Sequence, residues 1–415
     1  MSYHELFATL VALTAIAGVI NDRFLKLPKT IALTIISILI AIGITTVSHN
    51  LPSHVGPVYH LVKSVDFKYA VLNVMLGYLL FASGLHMNSI ELKKEITPVV
   101  YLASLGVVIS TFITGYMLYY LGHLLHLPLN LGECLIFGAI ISPTDAIAVL
   151  GTFKSLKNPP QRLKTLITGE GLFNDAGAIL MLVILTQVVY EGVHLTVISI
   201  AEKLIVEAGG GILWGVIVAY VASFLLKRAK SPEVATLITI AASSCGYISA
   251  DHFHFSGAIT MVVAGLIIGG LGKREKFCPD NILVINNFWE LIDEILNGFL
   301  FVLIGLAMIN IQVDHGAIFL GLICVIIVFI SRLLSIWLPD LMLSNIFFRK
   351  RGMTFSISKS TLMAWGGIRG GLSIALALSI DQFPDGLVAI TYVVVICSIL
   401  IQGGTFKWAI SKLQK

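Results

Sequence analysis

The chain has 415 residues, of which 57% are hydrophobic and only 12% charged, with a formal net charge of +4. Soluble domains carry about 25% charged residues, so this composition excludes an ordinary soluble enzyme and predicts an all-α polytopic membrane protein. The basic residues sit in short segments with no interleaved aromatics, so membrane lipid is the expected surrounding and no nucleic acid is an expected partner.

Apolar runs of about 17–25 residues mark helical spans. Thirteen are predicted, over 5–22, 29–48, 67–87, 96–121, 132–153, 161–189, 197–226, 233–251, 256–271, 282–310, 316–344, 357–380 and 386–410. The first charges, Arg23 and Lys26, follow the first run, and no cleavage site is evident, so the start is not read as a cleaved signal. Alternate loops are basic: Arg23 to Lys29, Lys93 and Lys94, Lys154 to Lys164, Lys227 to Lys230, Lys273 to Lys276, and Arg349 to Lys359. With Lys407, Lys412 and Lys415 these place 22 of the 27 basic residues on one side. The other side holds Lys63, Lys68 and Lys203, and Arg332 and Arg369 fall inside spans. Positive charge stays in the cytoplasm, so the N-terminus is expected outside and the C-terminus inside. The five cysteines lack metal or redox spacing and read as small core residues.

The fifth span holds ISPTDAIAV, where Pro143 removes a backbone donor beside Thr144 and Asp145. The twelfth holds WGGIRGGLS, with Gly366, Gly367, Gly370 and Gly371 around Arg369. Broken backbone is tolerated at membrane depth only inside protein or beside water. The two breaks lie seven spans apart, an odd number, so they enter from opposite sides. That pattern predicts two inverted-topology repeats with crossed discontinuous helices at spans 5 and 12. Asp145 is expected to offset the half-helix N-termini of the fifth span, and Arg369 the carbonyl ends of the twelfth. Both are read as structural charges that shape a site.

The sixth span carries GEGLFND, Gly169 to Asp175. Glu170 and Asn174 are four residues apart and share a helix face, with Asp175 the next step round. A carboxylate in the bilayer costs roughly 2.5–3.5 kcal/mol on insertion scales, which makes it a functional candidate by default. Desolvation favours the neutral form of a carboxyl, so Asp175 is expected to hold a proton and give it up to a cation. A small hard cation such as Na⁺ takes oxygen ligands; Asp175, Glu170 and the Thr144 hydroxyl or carbonyl supply them, with water. A site that takes either the cation or the proton couples the two by competition. Glu170 is expected to pair with Arg332, with Asn174 bridging Glu170 to the site. In the tenth span Asn287, Glu290, Asp293, Glu294 and Asn297 recur at helical spacing, either as an acidic funnel or as a solvated helix start. Ten of the eleven histidines map to the outer side, as pH sensors or as neutral polar substitutes for Lys and Arg.

At these residues the chain resembles the monovalent cation:proton antiporter-1 family, specifically bacterial NhaP-type sodium/proton antiporters related to the animal exchangers. The resemblance runs over nearly the whole chain. It rests on SPTDAIAV at 142–149, GEGLFND at 169–175, FWELIDEILN at 288–297, Arg332 and GGIRGG at 366–371. It implies thirteen helices in two inverted repeats, forming one transmembrane antiporter domain over 1–415, with core ion-site helices in 96–189 and 316–410. It also implies a homodimer in the bacterial inner membrane, elevator-like movement, a part in pH homeostasis, and no cofactor beyond the transported Na⁺ or Li⁺ and H⁺. Asp175 would carry the ion or proton, and Asn174 in place of a second aspartate implies electroneutral one-for-one exchange. Two positions depart from the family. Gly171 stands where a serine hydroxyl usually helps bind the ion, leaving water, a carbonyl or Thr168 to substitute. Ala146 replaces the proline of a Thr-Asp-Pro motif. Both leave lithium or potassium open as substrates. No regulatory soluble domain is expected, because the chain ends about five residues past the last span. A cation channel lacks an obvious filter repeat here. An intramembrane aspartyl protease using Asp145 and Asp175 lacks the local sequence that chemistry needs.

Overall fold

A computed structural model describes residues 3–50, 69–154, 156, 159–193, 196–272, 277–309, 311, 315–343 and 357–413. Among the described residues the chain is helical, with no β-strand. Eleven helices there are long and apolar enough to cross a membrane. Two of the expected spans fall outside that set. One is an apolar helix of 16 residues, Gly257–Gly272. The other, expected over 357–380, is split into Ile357–Trp365 and Gly371–Ala377. The expectations for Lys63, Lys68, His54, His60, His194 and the basic stretches 273–276 and 349–351 lie outside the described residues.

The helices run in chain order as α1 (Tyr3–Ile20), α2 (Lys29–Asn50), α3 (Leu76–His86), α4 (Ser89–Leu124), α5 (Leu131–Ile141) and α6 (Ala146–Lys154). They continue as α7 (Gln161–Tyr190), α8 (Val197–Leu204), α9 (Gly210–Leu226), α10 (Pro232–His252), α11 (Gly257–Gly272) and α12 (Pro279–Leu306). The last are α13 (His315–Leu343), α14 (Ile357–Trp365), α15 (Gly371–Ala377), α16 (Asp385–Cys397) and α17 (Gly404–Leu413). The helices gather into two compact units, interleaved in sequence.

The first unit comprises residues 1–71, 105–159 and 297–415. Its opening turn is built on Asn21, whose side chain accepts from the Leu27 amide at 3.0 Å and donates to the Leu27 carbonyl at 3.1 Å. These bonds satisfy backbone that leaves the helix, and Lys26 takes φ 52° to complete the turn. Helix α13 packs against α16, and the Phe329 ring meets Trp365 edge-on at 5.3 Å. The buried Ser331 hydroxyl donates to the Ser110 carbonyl at 3.1 Å, tying α13 to α4.

The second unit comprises residues 72–104 and 160–296. The short helix α11 is its centre, packed on α3, α9 and α10. Lipid offers no hydrophobic push between helices, so close backbone approach must supply the contact. Gly211 and Gly215, one turn apart on α9, lie against the Ser256 and Thr260 carbonyls; a Cβ at either would fall 2.8 or 2.7 Å from that oxygen. Gly265 and Gly269 of α11 make the same kind of approach to the α3 backbone at Phe81 and Leu85. Polar side chains in this unit find partners: Trp289 Nε1 donates to Thr239 Oγ1 at 2.8 Å, and Tyr78 hydrogen-bonds Ser244 at 2.8 Å.

The reading of all five cysteines as core residues is corrected. Cys134 and Cys324 are buried and Cys397 is half-buried, whereas Cys245 and Cys278 are exposed. For Cys245, an apolar run does not separate core from lipid face, because both sides of a membrane helix are apolar; Cys278 lies between α11 and α12, outside either helix.

Candidate functional site

In the second unit, helix α7 carries the GEGLFND segment without interruption. Glu170 and Asn174 are each 1% exposed, Gly171 is buried, and Asp175 is half-buried. The N-terminal turns of α7 are fixed by two carboxylates of α4 that sequence reasoning did not single out. Thr165 Oγ1 donates to Glu91 Oε2 at 3.1 Å, and Arg162 Nε meets Glu95 Oε1 at 2.9 Å. Their four-residue spacing at a helix start was the available signal. The basic Lys93 and Lys94, counted for loop charge, stand between them. Gly169 admits the Leu92 and Val99 side chains of α4, which a Cβ would meet at about 3.0–3.1 Å. Thr168, the proposed substitute for the missing serine, donates its hydroxyl to the Lys164 carbonyl.

In the first unit, the fifth span breaks between α5 and α6 at 142–145, and the twelfth between α14 and α15 at 366–370. The two breaks complete each other's hydrogen bonding. The Asp145 amide donates to the Ile368 carbonyl at 2.6 Å. Arg369 Nη1 donates to the carbonyls of Ser142 at 2.6 Å and Pro143 at 3.0 Å. Asp145 Oδ1 accepts from the amides of Ile147 at 2.9 Å and Ala148 at 3.3 Å, capping the N-terminus of α6. A buried break must satisfy its backbone this way or lose several kcal/mol per group.

The Arg369 guanidinium thus meets carbonyls of the fifth-span break. Its side chain reaches from the twelfth-span break to the carbonyls at the end of α5 and at Pro143. Gly370 is needed for the approach, because a Cβ there would lie 2.6 Å from Asp145 Oδ2. Arg369 is 1% exposed and Arg332 5%. Arg332 packs on the backbone of Gly367, where a Cβ would meet its Nε at 2.6 Å. Ser398, which sequence reasoning missed, accepts from the Arg369 amide at 2.9 Å. A serine in an apolar run carries no pattern that would have marked it.

The structure thus brings Thr144, Asp145, Arg369 and Arg332 into one unit, and Glu170, Gly171, Asn174 and Asp175 onto one helix of the other. Thr144 is 5% exposed. Along α12, Asn287, Glu290 and Glu294 are exposed, Asp293 is half-buried and Asn297 is buried, so polarity runs from surface to interior along that helix. His123, His126, His252, His254 and His315 are exposed, and His86 hydrogen-bonds the Asn286 carbonyl at 3.2 Å.

A family model described as sodium/hydrogen exchanger, transmembrane, matches residues 10–412. The chain is 36% identical over 406 residues to the Na(+)/H(+) antiporter NhaP of Pseudomonas aeruginosa, covering 96% of this chain and 94% of that one. It is 33% identical to the Na(+)/H(+) antiporter ApNhaP of Aphanothece halophytica, over 83% of this chain and 64% of that one. Among solved structures, the sodium proton antiporter MjNhaP1 of Methanocaldococcus jannaschii matches with a TM-score of 0.74 at 19% identity, covering 100% of this chain and 99% of that one. At that identity the likeness shows the fold.

Proposed function

The chain belongs to the sodium/hydrogen exchanger family, and on that premise we propose a one-for-one exchange of Na⁺ for H⁺ at Asp175. It is an NhaP-type antiporter of the membrane, a transporter and not an enzyme. The observation that carries the site is helix α7. It presents a half-buried Asp175 beside a buried Asn174, with Glu170 buried on the Asn174 face.

Asp175 accepts either a proton or the cation, and competition couples the two fluxes. Glu170, Thr144, Asn174 and the backbone of Gly171 complete the ion-binding set, with water, around a cation that prefers oxygen ligands. Asp145, Arg369 and Arg332 compensate charge at the breaks. Asn174 in place of a second aspartate leaves one titrating carboxylate, which makes the exchange electroneutral. The hydrogen bonds between the breaks at 142–145 and 366–370 support a reading of crossed discontinuous helices. Thirteen spans in two inverted repeats follow from the same reading. They form one transmembrane antiporter domain whose core helices lie in 96–189 and 316–410 and move as an elevator. The protein works as a homodimer in the bacterial inner membrane, N-terminus outside and C-terminus cytoplasmic, in pH homeostasis.

The test uses proteoliposomes with a trapped pH dye. External Na⁺, Li⁺ or K⁺ is added with and without an imposed potential, for wild type and Asp175→Asn. Cation-driven internal alkalinisation that ignores potential and is lost in the variant is the expected result. Exchange that survives in Asp175→Asn would remove that residue from the mechanism, and current without proton movement would mean a channel. A second reading, potassium or lithium in place of sodium, rests on Gly171, which lacks the hydroxyl ligand, and the ion ranking in the same assay decides it.

A further inference from the structure

The last span is not a plain α-helix. Between α16 and α17 it passes through a π-helical turn, Ser398–Gly403. Such turns insert an extra residue into the helix and are frequent at functional sites. Here the turn presents Ser398 to the twelfth-span break, inside the first unit. Ser398 is 3% exposed, and its oxygen accepts from the Arg369 amide at 2.9 Å. Its own proton goes to the Gln402 side-chain oxygen, one turn on. Its one proton and one of its two lone pairs are therefore used.

The Arg369 amide needs such a partner. It lies in the break outside any helix, and a buried amide deprived of its acceptor costs about 1–3 kcal/mol. The preceding carbonyl, of Ile368, is taken by the Asp145 amide, and the Arg369 guanidinium sits on the Ser142 and Pro143 carbonyls. One hydroxyl thus fixes the backbone of the residue whose side chain neutralises the carbonyls next to Thr144. A cavity of about 190 Å³ is bounded by Arg332, Trp365, Gly367, Arg369, Ser398 and Gln402, among others. That space would let the break relax if its hydrogen bond were lost.

We infer that Ser398, steadied by Gln402, is a positioning residue for the exchange reaction, holding the Arg369 guanidinium on the Ser142 and Pro143 carbonyls. The inference rests on the exchange reading given above. Without the Ser398 bond the guanidinium withdraws, the two carbonyl oxygens are uncovered, and local positive charge falls. A cation is then held more tightly near Thr144 and released more slowly.

The test measures half-saturating Na⁺ and maximal rate, per correctly folded transporter, in proteoliposomes of full-length protein. Variants are Ser398→Ala, Ser398→Thr and Gln402→Ala, with Asp175→Asn alongside; size-exclusion and melting profiles report folding. Ser398→Ala is expected to lower half-saturating Na⁺ by roughly two- to tenfold, the range set by one hydrogen bond. Ser398→Thr, which keeps the hydroxyl, restores the wild-type value, and Gln402→Ala falls between. An unchanged or raised half-saturation in folded Ser398→Ala, or equal effects of Ala and Thr, would overturn the inference. Should Ser398→Ala not fold, Gln402→Ala decides alone: a wild-type value there overturns the inference. Failure of the exchange reading looks different, because wild type itself would then show no Na⁺-driven H⁺ movement, and failure of its site assignment would show as exchange that survives in Asp175→Asn.

Discussion

Asn174 and Asp175 are neighbours on one helical turn, yet their surroundings differ. Asn174 is 1% exposed, whereas Asp175 is half-buried. An amide at the buried position carries no charge to desolvate, while the half-buried carboxylate keeps partial access to its surroundings. On the proposed exchange at Asp175, the identity of residue 174 would set how many carboxylates titrate together. Asn174→Asp would add a second, and the pair would load more protons than one cation replaces. The variant is expected to make exchange respond to membrane potential, measured as a change in initial rate when a potassium-valinomycin potential is imposed. A rate indifferent to potential in that variant, with wild type also indifferent, would sever stoichiometry from residue 174. Sequence alone marked both residues, because charge and amide in an apolar run stand out without any knowledge of their neighbours. It did not mark Glu91 and Glu95, whose importance lies in the Thr165 and Arg162 side chains they meet.

At the scale of elements, both breaks were legible. Pro143 and the glycines at 366–371 disfavour continuous helix through backbone effects that act locally. The cap at Asp145 follows from the same logic, since a new helix start at Ala146 exposes amides that a carboxylate one residue earlier accepts. Asp145→Ala is expected to destabilise the folded protein by about 0.5–2 kcal/mol, the usual range for a lost cap. The change would read as a lower melting temperature in detergent. Asp145→Asn, which keeps an acceptor oxygen, should recover most of it. Equal melting of Asp145→Ala and wild type would mean the cap carries no stability. What the breaks bond to was not legible. Arg369, expected to offset the carbonyl ends of its own span, reaches the carbonyls of the other break. The choice depends on which segments meet, and residue spacing contains no record of that. The same holds for Ser398.

At the scale of the whole molecule, the alternation of basic loops makes an orientation prediction that stands apart from any site. In a cysteine-free background, Lys94→Cys and Arg228→Cys should react with an impermeant thiol reagent only from the cytoplasmic side, and His254→Cys only from outside. Labelling of positions 94 and 228 from opposite sides would break the span count between them. The sequence by itself determined the membrane class, the approximate spans, the two breaks and the carboxylates of α7. Those follow from hydropathy and backbone satisfaction, which act along a single segment in hydrocarbon. Tertiary structure decided which apolar faces are core, so that Cys134 is buried and Cys245 exposed. It also decided which distant groups complete each break, as the Ser142, Pro143 and Ser398 oxygens do for Arg369. The physical reason is common to both. A lipid-facing side is as apolar as a buried one, and hydrogen bonds between segments far apart in the chain depend on packing that local preference does not encode.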